Sequence, residues 1–171
     1  MSGRLSKFCL PFDEAPVYKK KGSSVNPTNY RPISLLSAVS KVLEALVYEV
    51  LYKHVGWILP VKQSGFRHCD RAVLQLDRIV HNLTFALERG ETIVACFYDL
   101  FKAFDRVWHA GLIAKLQHYG VSKTAMAWFE EYLTERKQRV RVGEATSTWK
   151  TIPAGVPQGS VLGPLLSYLH C

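Results

Sequence analysis

Residues 92–99 read TIVACFYD, a run of seven β-branched, small and aromatic residues that ends in a carboxylate. A nearly continuous apolar run of this length predicts a strand that is buried on both faces. A carboxylate at the end of such a strand is costly to bury unless it has a partner. We therefore expect a buried strand that holds Asp99 rigidly at its end.

The sequence has helical periodicity on both sides of this run. Apolar residues at spacings of three and four predict four helices, at about 39–50, 72–88, 110–119 and 123–135. The apolar face of the first helix would consist of Val39, Val42, Leu43, Leu46 and Val50. Ser37 and Ser122 precede two of the helices and are expected N-caps, and Gly90 is expected to end the second.

The remaining segments predict a small sheet. Residues 138–142 alternate between polar and apolar side chains, and with a turn at Gly143 and a return over 147–152 they predict a hairpin. Residues 1–28 are expected to be irregular apart from a short strand at 15–18. Helices, a strand, helices and a hairpin in this order predict an α+β fold with a small antiparallel sheet, and they argue against a doubly wound α/β fold.

Composition restricts the class of protein. The chain has 171 residues, of which 48% are hydrophobic, enough for one packed domain. Its formal net charge of +8 favours a polyanionic partner, with nucleic acid ahead of an anionic membrane surface. The four cysteines are scattered without zinc spacing, which predicts no zinc site and a reducing, intracellular location. We find no signal peptide and no apolar run long enough to cross a membrane.

Three groups of residues are candidates for chemistry, namely two aspartates, two arginines of the predicted hairpin and a glycine-rich loop. Asp99 is either a metal ligand at a strand end or a turn or helix-capping aspartate. We expect Asp105, six positions later, to cap the helix that follows. Arg139 and Arg141 share one face of the predicted hairpin, where they would either meet phosphates or protect a solvated edge strand. The loop over residues 155–160 combines two glycines, a proline and Gln158, which can donate and accept hydrogen bonds.

Four motifs in order carry a family resemblance. They are NYRPISLL at 29–36, QSGFR at 63–67, FYDLFKAFDRVWH at 97–109 and GVPQGSVLGP at 155–164. Together they resemble the reverse transcriptases of non-LTR retrotransposons of the LINE type, jockey-like elements included. The resemblance covers about residues 19–166. It implies the fingers and first part of the palm of a right-hand polymerase.

The resemblance also implies roles for single residues around an incoming dNTP. Asp99 would bind two catalytic Mg²⁺ ions, with help from the Leu100 carbonyl. Phe104 would lie under the sugar and exclude a 2′-hydroxyl. Gln158 would lie against the nucleotide and the template. Arg67 would contact the triphosphate, since a guanidinium matches phosphate geometry.

The implied partners are an RNA template and a DNA primer. Arg139, Arg141 and Gly159 are the residues that we expect at the nucleic acid. No membrane and no zinc is expected to take part.

One departure from the family bears on activity. The family has a later motif with two adjacent aspartates, and the sequence contains no Asp-Asp pair. We therefore expect an irregular segment at 1–28 and a partial reverse transcriptase domain at 29–171, which ends before that motif and is inactive alone. The alternatives are a nucleic-acid-binding remnant without catalysis and a non-functional product. Whether the chain is nuclear or cytoplasmic is open.

Overall fold

A computed structural model describes residues 11–60, 63–65, 67, 71–100, 102–134 and 136–171. The chain divides into two compact units. We call Met1–Val55 together with Lys102–Cys171 the sheet unit. Gly56–Phe101 contains the helix α2 (Ala72–Glu88), and we call it the α2 unit. Each is described by itself.

The sheet unit contains a mixed sheet of five short strands. They are β1 (Phe12–Tyr18), β2 (Tyr30–Leu35), β3 (Lys137–Val142), β4 (Ala145–Thr146) and β5 (Lys150–Thr151). The order is β2-β1-β3-β4, and β5 also pairs with β3. β1 pairs with β2 in antiparallel register from Asp13 opposite Leu35 to Tyr18 opposite Tyr30. The hairpin predicted from residue 138 to residue 152 is confirmed, because β3 pairs with β4 and β5 in antiparallel fashion. Its return is divided between these two short strands.

The prediction of a purely antiparallel sheet is wrong in one pair. β1 and β3 are parallel, with Phe12 opposite Gln138. Parallel strands need a long crossover connection, and the helices between residues 38 and 133 supply it in this chain. Sequence alternation identifies neighbouring strands of a hairpin but gives no information about such a distant pair. β1 also extends the strand expected at 15–18, within the segment predicted to be irregular.

Four of the described helices belong to the sheet unit. They are α1 (Ala38–Val55), α3 (His109–His118), α4 (Lys123–Leu133) and α5 (Gly163–His170). Both expected N-caps of this unit are confirmed: Ser37 Oγ accepts from the Ser40 amide at 3.1 Å, and Ser122 Oγ accepts from the Ala125 amide at 3.4 Å. Among the described residues of this unit, seven hydrophobic side chains are almost completely buried, namely Val55, Val107, Leu112, Leu116, Leu133, Leu162 and Leu166.

The buried face of α1 differs from the predicted one. Four of the five residues of the predicted face are between 61% and 72% exposed, namely Val39, Val42, Leu46 and Val50, and only Leu43 is partly buried. The helix instead buries Glu44, Leu51 and Val55. Periodicity therefore identified the helix but selected the wrong face. A carboxylate that receives hydrogen bonds can occupy a core position that a hydrophobic pattern assigns to solvent.

The α2 unit contains the helix α2 (Ala72–Glu88), which matches the predicted span. The prediction of a strand over 92–98 that is buried on both faces is wrong for this structure. Residues 91–100 form no strand, and the side chains of Phe97 and Tyr98 are 93% exposed. An apolar run becomes a buried strand only where other strands pair with it, and none of the described residues does so.

Candidate functional site

The loop over residues 155–160, which we call the GVPQGS loop, is attached to the turn at residues 102–106. The amide of Gly155 donates to the Val107 carbonyl and that of Val156 to the Phe104 carbonyl, both at 2.8 Å. Gly155 has a φ of +93°, and a Cβ there would lie 2.9 Å from the backbone oxygens of Phe104 and Asp105. Only glycine meets both requirements without strain. The loop therefore starts from a fixed position.

Gln158 is held at its backbone and at its side chain. Its carbonyl accepts from the Ser34 amide of β2 at 2.8 Å. Its side-chain Nε2 donates to Asp105 Oδ1 at 3.0 Å. An ionised carboxylate only accepts hydrogen bonds, so the NH₂ group of Gln158 must face Asp105. This contact fixes the orientation of the amide and leaves Oε1 for another donor.

Asp105 thus acts differently from the helix cap that the sequence suggested. α3 begins at His109, and its N-cap residue Trp108 makes no side-chain capping bond. The turn at residues 102–106 places Asp105 too early to cap this helix, and its carboxylate accepts from Gln158 instead.

A polar cavity of about 280 Å³ lies beside the loop and includes Glu14, Asp105, Arg136 and Gln158 in its lining. Glu14 is only 8% exposed. Burial raises the pKa of its carboxyl, the negative charge of Asp105 raises it further, and Arg136 acts in the opposite direction. The buried Arg136 guanidinium lies over the rings of Phe12 and Tyr132, 5.1 and 5.0 Å from their centroids. The cavity therefore combines two carboxylates, an amide and a cation.

The two predicted arginines of β3, Arg139 and Arg141, lie in different environments. Arg139 donates from Nε to Asp13 Oδ1 at 2.6 Å, and its guanidinium lies 4.6 Å from the ring centroid of Trp149. The hydrogen bond to Arg139 lowers the pKa of Asp13. Arg141 is exposed, with a longer contact of 3.3 Å to the Gly143 carbonyl. Arg141 is therefore the more accessible of these two arginines for a phosphate.

The sequence matches the family described as reverse transcriptase (RNA-dependent DNA polymerase) across residues 18–170. This chain belongs to the reverse transcriptase family. It is similar to the probable RNA-directed DNA polymerase from transposon BS of Drosophila melanogaster, with 41% identity over 88% of this chain and 17% of that protein. Identity to the probable polymerase from the X-element of the same species is 40%, over 90% of this chain and 17% of that protein.

The polymerase of the mobile element jockey of Drosophila melanogaster is a third relative. It is 38% identical over 88% of this chain and 16% of its own length. The predicted membership in the non-LTR retrotransposon branch is confirmed by these relatives. The chain spans about a sixth of the length of the curated relatives that it matches.

Several of the predicted site residues come together in the sheet unit. Phe104 is half-buried, and its carbonyl accepts from the GVPQGS loop. Gln158 follows in that loop, and the exposed Gly159 comes directly after it. Phe104, Gln158 and Gly159 are thus grouped, while Arg139 and Arg141 lie on β3.

The other predicted site residues lie in the α2 unit. Asp99 and Leu100 are exposed, and Leu100 has 64% of its side chain accessible. Arg67 donates from Nη1 to the Pro60 carbonyl at 2.8 Å. The roles proposed for these three residues remain predictions.

Two further features concern metal ligands and membrane-spanning helices among the described residues. Among the residues outside the gaps of the structure, no group of three or more His, Cys, Asp and Glu side chains is arranged to hold a metal ion. The Asp99 carboxylate and the Leu100 carbonyl are oxygen donors of the type that Mg²⁺ takes, but they are only two. No described helix has the length and hydropathy that a membrane crossing requires.

Sequence reasoning assigned Asp105 a different role and missed Glu44, and both carboxylates bond to the GVPQGS loop or to the residues directly after it. Asp105 contacts Gln158, and Glu44 of α1 contacts the backbone at Val161 and Leu162. The signal available for Asp105 was its place within the FYDLFKAFDRVWH motif. For Glu44 we find no signal in the sequence, because a lone glutamate on a helix normally indicates a solvated position.

Proposed function

We propose that residues 29–171 form the fingers and the first part of the palm of an RNA-directed DNA polymerase, and that the preceding segment at 1–28 contributes β1 to the sheet of this partial domain. In this function a dNTP is joined to a DNA primer that is paired with an RNA template. The observation that carries the proposal is the fixed amide of Gln158, in the GVPQGS loop, beside a cavity. Polymerase names among the relatives support the same activity.

The proposed roles follow from the chemistry of each side chain. Gln158 presents Oε1 and its second N–H to the nucleotide, while Asp105 holds the amide in one orientation. Phe104 forms an apolar surface under the sugar, where a 2′-hydroxyl would lose its hydrogen bonds to water. Arg67 binds the triphosphate.

Asp99 and Leu100 are proposed as ligands of Mg²⁺. Bound Mg²⁺ would lower the pKa of the primer hydroxyl and neutralise charge on the leaving pyrophosphate. One carboxylate is an incomplete ligand set for two ions. We therefore expect the 171-residue chain to extend no primer in isolation, and the proposal needs a test in a larger polymerase.

A chimaeric enzyme supplies this test. The region of the jockey polymerase that aligns with residues 18–170 would be replaced by the present sequence, and primer extension on an RNA template would be measured. We expect extension, and we expect Asp99→Ala to lower kcat at least about a thousandfold because a charged metal ligand is lost. Asp77→Ala, at an exposed aspartate of α2 in the same unit, is the matched control. Undiminished extension by Asp99→Ala would rule out the assigned role of this carboxylate.

Asp105 gives a second test in the same chimaera. Asp105→Leu removes the acceptor of the Gln158 amide, and we expect the KM for dNTP to rise about tenfold, the value of one hydrogen bond to a charged group. Asp105→Asn keeps a carbonyl oxygen that accepts the same bond and should restore most of the affinity. As a control, the same region of the jockey polymerase would be replaced by the X-element sequence. If this control extends a primer, while the chimaera with the present sequence binds template-primer but does not extend it, the result would favour a nucleic-acid-binding remnant.

A further inference from the structure

Glu44 is a buried carboxylate that none of the proposed polymerase roles uses. It lies on α1 with only 4% of its surface exposed. Its Oε2 accepts from the amide of Val161 at 2.7 Å and from that of Leu162 at 3.3 Å. Its Oε1 accepts from the hydroxyl of Tyr132 on α4 at 3.1 Å. One side chain therefore joins α1 to α4 and to the segment that leads into α5.

The two amides that donate hydrogen bonds to Glu44 lie at the start of a helix. Leu162 is the N-cap residue of α5, and its own side chain makes no capping hydrogen bond. Ser160 Oγ accepts the Gly163 amide, and Glu44 accepts the two amides before it. The first amides of a helix have no carbonyl partner within the helix, and a buried start without acceptors is unfavourable. A carboxylate 117 residues away from Val161 supplies the acceptor, and its negative charge suits this end of the helix.

Both oxygens of Glu44 are occupied by donors. Oε2 accepts two backbone amides and Oε1 accepts a hydroxyl. This arrangement argues against a role as a metal ligand or as a proton acceptor for substrate. A leucine of similar size would avoid the cost of burying a charge, but it would leave the amides of Val161 and Leu162 without an acceptor.

The bonds of Glu44 lie close to the proposed nucleotide contact. Gln158 precedes Val161 by three positions, and a short hydrogen-bonded turn fills the interval. Ser160 Oγ donates to the Pro157 carbonyl at 3.0 Å and accepts from the Gly163 amide at 2.8 Å. The GVPQGS loop is thus attached to Val107 and Phe104 at one end, and Glu44 holds its other end.

We propose that Glu44 is a positioning residue for Gln158: by accepting the amides of Val161 and Leu162, it sets where the Gln158 amide stands relative to an incoming dNTP. The consequence for catalysis rests on the proposed polymerase function. The hydrogen bonds that Glu44 accepts from Val161 and Leu162, which we call the clamp, do not depend on that function. The clamp and its effect on catalysis are therefore measured separately.

The clamp is measured on the 171-residue chain by amide hydrogen exchange and by the side-chain amide signals of Gln158 in NMR spectra. In Glu44→Ala we expect the amides of Val161 and Leu162 to lose protection about tenfold or more, since hydrogen bonds to a charged acceptor are lost. The Gln158 side-chain signals should shift. Glu44→Gln keeps one oxygen acceptor and should retain most of the protection. Glu49→Ala, at an exposed glutamate of the same helix, should change neither reading.

A merely structural role would give a different pattern. If Glu44→Ala lowers protection equally at Leu116 and other core amides, Glu44 stabilises the whole sheet unit and the positioning role is wrong. Wild-type Val161 and Leu162 amides that exchange as freely as exposed ones would also overturn the clamp.

The consequence for the reaction is measured in the jockey chimaera. We expect Glu44→Ala to raise the KM for dNTP about tenfold with a smaller change in kcat, and Glu44→Gln to recover most of it. If the parent chimaera extends no primer, the proposed polymerase function fails. If the parent is active and Glu44→Ala leaves KM unchanged, that function stands and the positioning role is overturned.

Discussion

The GVPQGS loop and the segment at residues 91–100 differ in a way that their sequences do not suggest. The loop is rich in glycine and has little apolar surface, yet Gly155, Val156 and Pro157 are buried and its amides bond to Val107 and Phe104. The segment is mostly apolar, yet Phe97 and Tyr98 are exposed to solvent. Composition measures the tendency to be buried, but partners from elsewhere in the chain decide whether burial occurs.

Limited proteolysis tests this contrast with the largest expected effect. Chymotrypsin should cut after Phe97 or Tyr98 at least about a thousandfold faster than after Tyr132, because a cut at the buried Tyr132 requires unfolding that costs at least about 5 kcal/mol. Mass spectrometry of the first fragments gives the order of cleavage. Early cleavage at Tyr132 with an intact 91–100 segment would reverse the contrast.

A pair of leucine truncations tests the same contrast through stability. Leu162 is completely buried and Leu100 is 64% exposed. Leu162→Ala should lower the free energy of unfolding by about 3 kcal/mol through a cavity, and Leu100→Ala should change it by less than about 0.5 kcal/mol. Urea denaturation followed by circular dichroism measures both. Equal losses would mean that Leu100 is packed in solution.

A pair of glycine substitutions sharpens the account of the loop. Gly155→Ala should cost about 2 kcal/mol, because alanine at this positive φ is strained and its Cβ would crowd the backbone oxygens of Phe104 and Asp105. Gly143 also has a positive φ, but a Cβ there would meet nothing within 4 Å. Gly143→Ala should therefore cost about 1 kcal/mol. Thermal unfolding of both variants decides whether the close approach adds to the strain.

The smallest expected effect concerns pH and the cavity beside the loop. The folded-state pKa of Glu14 is raised above its ordinary value of 4.5, first by burial and then by Asp105. A raised pKa stabilises the fold below pH 4.5, and this contribution is lost as pH rises through the folded pKa. Glu14→Gln, which is always neutral, should therefore equal wild type near pH 4 and be more stable than wild type at pH 7.

Denaturation curves at the two pH values measure this difference. Glu144→Gln, at an exposed glutamate of the turn after β3, is the control for the general effect of losing a charge. The same gain in both variants at pH 7 would mean that burial of Glu14 is not the cause.

Much of the fold follows from local sequence signals, and the errors share one origin. The span of α2 and the caps at Ser37 and Ser122 were predictable because periodicity and capping depend on neighbouring residues. The exposed 92–98 segment and the parallel β1–β3 pair were not, because both depend on strands that are distant in the sequence. The buried face of α1 was missed since Glu44 becomes a core residue only through donors on other elements.

The candidate site shows the same difference between local signals and distant contacts. Phe104, Asp105 and Gln158 were singled out from two contiguous motifs, and the roles of Phe104 and Gln158 remain predictions. The contacts that hold the loop were not predictable, because Asp105 lies 53 residues from Gln158 and Glu44 lies 117 residues from Val161. Hydrogen bonds over such separations leave no trace in a single sequence, and only the folded chain reveals them.

The parallel pairing of β1 with β3 has a consequence for how the chain is made. Asp13 and Arg139, opposite each other in this pair, are 126 residues apart. At a translation rate of about 5–20 residues per second, β3 leaves the ribosome roughly 6–25 s after β1. During that interval β2 covers only one edge of β1, and the other edge offers unpaired amides and carbonyls to any nearby chain. On a messenger read by several ribosomes, nascent copies would present the same uncovered edge to each other, so the yield of folded protein should fall as ribosome density rises.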